Sequence, residues 1–515
     1  MSLLQYPSIM VEPLLSIISL WLYLSALCST RAVPTIQTTS GKLTGFAISN
    51  STTNAYLGIP FALPPIGQLR FVAPRALYTP NVVRNVTSFS PACVQFQPPY
   101  PSPTGESEDC LYLNVWSSPA AAARPSPQRL KPVFVWIYGG GFNTGFTSDS
   151  LNDFTIWASA HPEIVFVSIN YRLNLFGYPD TPAVAPPDTN AGLRDQRAAI
   201  EWVYKNIAAF GGDPTHIVLG GESAGSVSTS SYLYTHLYDS LIKGAIMMSG
   251  QAPLEVSPAR GPVPGAPSQG PNPFPGIAEA VGCPLLGSNN TTHTKWEYLA
   301  QLNCVRQKNV PQLVDAWTQL NVVGFGPVVD NQTLFTISEY KSRGRSGRFA
   351  KVPVLMGTMD NEGDLFAVDW ATGTLNVTLS DLVTLSWFRC YDSWQSSFSS
   401  SAGIPTYRYR NLGDLPNLPF PTLRAWHGSD QMVLFGMLLT EPEKSAMVYL
   451  QKAWSAFIVD PSNGLKSQLG WPLYKGYQGN TLVDLFKNND VVEHPIQVEN
   501  PSVFDSGCTA LGLGL

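Results

Sequence analysis

Apolar positions along this chain fall into short, dense runs separated by polar or proline-rich stretches. Pro132 to Tyr138 (PVFVWIY) and Ile164 to Asn170 (IVFVSIN) are almost continuously apolar and rich in β-branched and aromatic residues. Runs of that length are expected as strands buried on both faces of a sheet. His216 to Gly220, Lys243 to Ser249 (KGAIMMS) and Val352 to Gly357 (VPVLMG) read as further strands. Between them the period changes. Leu193, Ile200, Val203 and Ile207 lie near helical spacing, which predicts an amphipathic helix over 193–210, stopped by Gly211-Gly212-Asp213-Pro214. Ala446 to Ile458 predicts another helix late in the fold. Strands alternating with helices, without an internal repeat, imply an α/β class with a mostly parallel or mixed sheet covered by helices.

Composition narrows the setting. At 515 residues the chain exceeds a typical single core, but α/β folds with large insertions reach this length as one domain. A single domain over 29–515 is therefore expected. Three stretches rich in Pro, Gly and Ala (Gln97–Gly105, Ser117–Gln128 and Pro258–Gly276) read as surface loops. Such loops either cover strand ends, where sites form, or are exposed insertions without a role. With 31 Lys and Arg against 36 Asp and Glu, the net charge of −5 argues against nucleic acid or an anionic membrane surface as a main partner. Only 13% of residues are charged, while Gly (42) and Pro (44) are abundant, as suits a loop-rich folded protein.

The N-terminus points to secretion. Leu14 to Leu27 matches a secretory apolar segment, and Ala26-Leu27-Cys28 offers a small-residue cleavage site, so 1–28 reads as a signal peptide. Glu12 and the lack of Lys or Arg ahead of the run depart from the usual pattern, and a signal anchor is the alternative. The run is short of the roughly 20 residues a membrane span needs, and no later segment is long enough. Six N-x-S/T sequons, at Asn50, Asn85, Asn289, Asn290, Asn331 and Asn376, fit the same route. So do the six cysteines beyond Cys28: local pairing of Cys93 with Cys110 and Cys283 with Cys304 is the simplest arrangement, with Cys390 and Cys508 paired or free.

The chemistry centres on Gly221-Glu222-Ser223-Ala224-Gly225. This G-x-S-x-G follows a buried strand and precedes a run of small residues able to start a helix. A serine on such a strand-to-helix turn is presented at the sheet's C-terminal edge, where a histidine can deprotonate it. The motif also occurs in ordinary loops, so its partners matter. Of six histidines only His293, His427 and His494 follow Ser223, the chain order such sites require. His293 sits among sequons and His494 in a polar C-terminal stretch. His427, in a small-residue loop, is the first choice as base. The acid should lie just past a strand, and Asp360, Glu362 and Asp364 all qualify; two of the three would then be solvated or capping carboxylates. Tyr138-Gly139-Gly140-Gly141-Phe142 follows an apolar strand, and its glycines let backbone N–H groups face a ligand, as in an oxyanion loop.

Taken together, these segments resemble the type-B carboxylesterase/lipase family, which includes cholinesterases and secreted fungal lipases. The likeness rests on Tyr56–Ala62 (YLGIPFA), Ser107–Val115 (SEDCLYLNV), Tyr138–Phe142, Asn170–Leu173 (NYRL), Asn190–Gln196 (NAGLRDQ), Phe210–Pro214 (FGGDP) and Gly221–Gly225. It implies an α/β-hydrolase fold and a secreted serine ester hydrolase with a small-molecule ester substrate and neither metal nor cofactor. It implies Glu362 as acid, His427 as base, the N–H groups of Gly140, Gly141 and Ala224 as oxyanion donors, and Cys93–Cys110 as the family's first disulfide. Alternatives are an interfacial lipase or sterol esterase, and a non-catalytic adhesion protein on the same fold. Two departures stand out. The Cys93–Cys110 loop is short and proline-rich, which favours small soluble or emulsified esters over strong interfacial activation. Asn174 stands where relatives often carry glycine.

Overall fold

The computed structural model describes residues 33–95, 100–118, 130–239, 241–256, 273–285, 293–320, 322, 324–437 and 440–513. The expected signal peptide, Cys28 and the sequons at Asn289 and Asn290 lie outside these residues, as does much of the three proline-rich stretches.

An 11-stranded sheet organises the molecule. In chain order its strands are β1 (Phe46–Ala47), β2 (Asn54–Pro60), β3 (Tyr112–Ser117), β4 (Lys131–Ile137), β5 (Val165–Ile169), β6 (Gly212–Glu222), β7 (Ile242–Met248), β8 (Val354–Met359), β9 (Thr406–Asn411), β10 (Leu482–Leu485) and β11 (Ile496–Glu499). Across the sheet the order is β11-β10-β9-β8-β7-β6-β4-β5-β3-β2-β1. Neighbours from β10 through to β5 are parallel. The edges, β11 on one side and β3, β2 and β1 on the other, run antiparallel to their neighbours.

The apolar runs place this sheet. Along β4, Val133, Val135 and Ile137 enter one core while Phe134 and Trp136 enter the other, and all five are buried. A strand with two covered faces tolerates no polar alternation, which is why its sequence reads as an unbroken apolar run. Register carries the pattern across: Ile217 lies beside Val133, Leu219 beside Val135 and Gly221 beside Ile137. Helices α1 (Ala191–Asn206) and α2 (Ala224–Thr235) cover the first face, through Ala199, Ile200, Val203, Val227 and Leu233. Helix α3 (Glu443–Val459) covers the second, through Leu450, Trp454 and Phe457.

Two boundaries differ from expectation. The helix over 191–206 continues as a 3-10 turn to Phe210 and ends at Gly211, whose φ of 85° closes it, but β6 then begins at once, at Gly212. Pro214 has no N–H to donate, so the ladder to β4 breaks after Gly212 and resumes at Ile217. Phe274 to Gly276, expected in a loop, opens a short helix, Phe274–Ala280. Proline is tolerated in a first turn, and burial of Phe274, Ile277 and Ala278 holds the helix down. Disulfides join Cys93 to Cys110, Cys283 to Cys304, and Cys390 to Cys508.

Candidate active site

Strand β4 lies between β5 and β6, the point where the chain changes direction across the sheet and where clefts open beyond the strand ends. Segments leaving β4, β6, β8 and β9 at that end carry the sequence-selected residues.

Ser223 stands between β6 and α2 with φ 53° and ψ −121°, a conformation L-residues avoid. Strain of this kind costs about 1–3 kcal/mol and must be held by its surroundings. A hydrogen bond from Ser223 N–H to Met248 O (2.9 Å) and the packing of α2 on β4 hold it. The flanking glycines are sterically required. A Cβ at Gly225 would lie 1.9 Å from Ile137 O, and one at Gly221 would lie 2.4 Å from the Gly225 carbonyl carbon.

Ser223 Oγ lies 2.9 Å from His427 Nε2, and His427 Nδ1 lies 2.5 Å from Glu362 Oε2. The other Glu362 oxygen accepts the N–H of Met359 (2.8 Å), fixing the carboxylate on the end of β8. The imidazole is buried, with the rings of Phe388 and Phe366 at 4.8 and 5.2 Å. The other two carboxylates after β8 go elsewhere. Asp360 meets Arg410 (2.7 Å) at a partly exposed position. Asp364, expected to be solvated or capping, is fully buried and grips the Arg424 guanidinium with both oxygens. A buried carboxylate demands a cation, and Arg424 arrives from a distant loop. His293 and His494 stay away from Ser223, facing Glu297 (3.8 Å) and Asp490 (3.1 Å).

The glycine turn after β4 bends tightly over the elbow. Gly140 and Gly141 have φ of 102° and 61°, and a Cβ at Gly139 would lie 3.0 Å from that of Ser223. The N–H groups of Gly140, Gly141 and Ala224 make no hydrogen bond to a described residue. Asn174 now has a structural account. Its φ is 46°, a region favouring glycine or asparagine, and its amide donates to Val94 O (2.8 Å), tying the first disulfide loop to this turn.

Sequence reasoning passed over two further carboxylates. Glu222, the variable position of the elbow motif, is buried, with Oε1 3.4 Å from His427 Nε2. Burial pushes its carboxyl up to about 8; His427 opposes that shift, while Asp430 and Glu362 add to it. Asp430, three residues past His427, is buried beside the Tyr409 hydroxyl (3.4 Å) and is pushed up to about 7, by burial first and Glu362 second. Burial alone would lower the His427 pKa. The charges of Glu222 and Glu362, the hydrogen bond to Glu362 and the charge of Asp430 outweigh it and hold the imidazole up to about 9. The signal available in sequence was only their adjacency to Ser223 and His427.

Comparison with known proteins gives a consistent picture. A model of the carboxylesterase family matches residues 32–377. Chlorogenic acid esterase of Aspergillus niger is 32% identical over 451 residues, covering 83% of this chain and 83% of that protein. Secreted lipase 5 of Gibberella zeae is 30% identical over 488 residues, covering 85% and 87%. Acetylcholinesterase of Bungarus fasciatus is 33% identical over 355 residues, covering 65% of this chain and 54% of that protein. The mixed sheet flanked by helices is the α/β-hydrolase arrangement.

Proposed function

Because this chain belongs to the carboxylesterase family and is a carboxylic ester hydrolase, we propose that it works by two-step acyl transfer through Ser223, His427 and Glu362. The observation supporting this is the unbroken series Ser223–His427–Glu362, at 2.9 and 2.5 Å, in one buried site. Ser223 Oγ attacks the ester carbonyl as His427 Nε2 takes its proton. Glu362 holds the imidazole tautomer and stabilises the imidazolium. The N–H groups of Gly140, Gly141 and Ala224 receive the oxyanion, each worth about 2.7–4 kcal/mol in comparable sites. His427 then protonates the leaving alcohol, and water repeats the sequence on the acyl-enzyme.

An organophosphonate followed by peptide mass spectrometry tests the assignment. The expected result is a label on Ser223, absent in Ser223→Ala. Ester turnover with no label at Ser223 would overturn it.

Secretion belongs to the same proposal. The asparagines of the described sequons, Asn50, Asn85, Asn331 and Asn376, are exposed, and disulfides persist in oxidising compartments. No helix among the described residues is long and apolar enough to cross a membrane.

A second reading, action at a lipid–water interface, is favoured by one observation. Exposed Trp370 packs on Phe420 (4.9 Å), which packs on Trp426 (5.5 Å), the neighbour of His427, making an aromatic rim. A sharp rise in rate above the substrate's solubility limit would select it; smooth saturation would select soluble esters.

A further inference from the structure

The turn after β4 holds three consecutive glycines, Gly139 to Gly141, and none carries a side chain to restrict its backbone. Presenting two N–H groups to one developing oxyanion requires geometry held to about half an ångström. A turn this pliable needs bracing from outside itself.

Asn143 braces both sides of Gly141. Its backbone N–H donates to Gly140 O (3.0 Å), which also accepts from the Thr144 N–H (3.1 Å). In a planar trans peptide the N–H opposes the carbonyl, so these bonds turn the Gly141 N–H away from Asn143 and Thr144. The Asn143 side chain fixes the next peptide, with Nδ2 donating to Gly141 O (2.7 Å).

The same amide reaches a segment 182 positions away. Nδ2 also donates to Phe325 O (2.8 Å), and Oδ1 accepts the Phe325 N–H (2.9 Å). Both amide hydrogens and the carbonyl oxygen are therefore engaged, and the N–H on Oδ1 determines which way the amide faces. The seat is close, since a Cβ at Gly324 would lie 2.9 Å from Asn143 Nδ2. Phe325 is itself buried, its ring 4.9 Å from that of Trp317. Three residues further on, Asn190 grips the same segment in the same way: Nδ2 donates to Val328 O (2.8 Å) and Oδ1 accepts the Val328 N–H (2.9 Å). Among the described residues, the Asn190 side chain makes no hydrogen bond to the glycine turn.

We propose that Asn143 is a positioning residue for the oxyanion donors, holding the peptides around Gly141 in place by tying them to the anchored backbone of Phe325. The inference rests on the reading of Ser223, Gly140 and Gly141 above. Asn190 is the internal control. It clamps the same segment without touching the turn, so a purely structural clamp and a positioning residue make different predictions.

Hydrolysis of p-nitrophenyl butyrate by wild type, Asn143→Ala, Asn143→Asp and Asn190→Asp tests this, with active sites counted by organophosphonate labelling. Asp keeps the Oδ1 acceptor in either place and loses the donor; at 190 it also tolerates the φ of 55°. Both Asn143 variants should lose about 10- to 100-fold in kcat per labelled site with KM within about threefold, the signature of an interaction made only in the transition state. Asn190→Asp should unfold at lower temperature and keep kcat within about threefold. A trifluoromethyl ketone gives the second readout. Ser223 Oγ adds to its carbonyl as the proton passes to His427, leaving an oxyanion at the turn. Its Ki should weaken in the Asn143 variants by the factor lost from kcat/KM, while the matching methyl ketone binds as in wild type. Unchanged kcat in the Asn143 variants, an equal loss in Asn190→Asp, or failure of both Asn143 variants to fold would overturn the inference and leave the Ser223 reading standing. Ester turnover by wild type without a label on Ser223 removes both.

Discussion

Two buried charge clusters, one at each of two neighbouring positions in this fold, behave differently. In the first, Arg408 on β9 donates from Nε to Asp392 (2.6 Å) and from both terminal nitrogens to Asp505 (2.6 and 2.9 Å). Asp505 also accepts from the Ser393 hydroxyl (2.8 Å). Its cation never loses a proton near neutrality and fits its carboxylates as a planar fork. In the second, three carboxylates, Glu222, Glu362 and Asp430, surround one imidazole, which can lose its proton. Glu222 Oε1 and Asp430 Oδ1 have no hydrogen-bond partner among the described residues. Saturated contacts around a permanent cation make a scaffold. Surplus acceptors around a titrating cation make a site poised for proton transfer.

Variants that break one cluster and spare the other sharpen this contrast. Ser223→Ala should reduce kcat by about 10⁶-fold with the thermal unfolding transition unmoved, read by ester hydrolysis beside calorimetry. Glu362→Gln should fold and lose about 10⁴-fold, since the imidazole is no longer held in the productive tautomer. Asp360→Asn should change kcat by less than about tenfold; a larger loss there than at Glu362 would move the acid's role to Asp360. Arg408→Met should act on stability instead, costing about 3–5 kcal/mol in denaturant unfolding because Asp392 and Asp505 become uncompensated. Its folded fraction should keep near-normal kcat.

The smallest effect concerns pH. The proposed mechanism needs neutral His427, so activity should fall as pH drops through the imidazole pKa, which its carboxylates raise to about 9. Glu222 is the largest raising influence, so Glu222→Gln should move the acidic limb of the kcat/KM profile to lower pH. Glu222 and His427 exchange influence as one coupled pair, and the profile reports the pair rather than either residue. An unmoved limb would show that Glu222 carries no charge over the working range.

How much of this was legible in sequence depends on the distance over which each feature is determined. The strands at 131–137 and 165–169 were legible because burial on both faces writes an apolar run directly into the chain. The elbow was legible because two carbonyl approaches near 2 Å forbid side chains at 221 and 225. The acid was narrowed to three candidates by local position, and only the family resemblance singled out Glu362. Burial of Asp364 was not legible, since it depends on Arg424, which is 60 positions away. Nor was the Cys390–Cys508 bridge, with a separation of 118 residues. Glu222 looked like a variable motif position. Its electrostatic role exists only once β4, β6 and the His427 loop converge.

That bridge has a consequence for how the protein is made. Cys508 lies three positions beyond Asp505, and its disulfide to Cys390 pins the segment that completes the charge set of Arg408. On the ribosome, β9 emerges roughly a hundred residues ahead of its second carboxylate. Until residue 505 has been synthesised, Arg408 has only Asp392 of its two carboxylate partners available. The arginine scaffold is thus closed by a segment far from β9 in sequence and tied down by a covalent bridge, whereas the elbow around Ser223 is closed by close contacts of its own backbone.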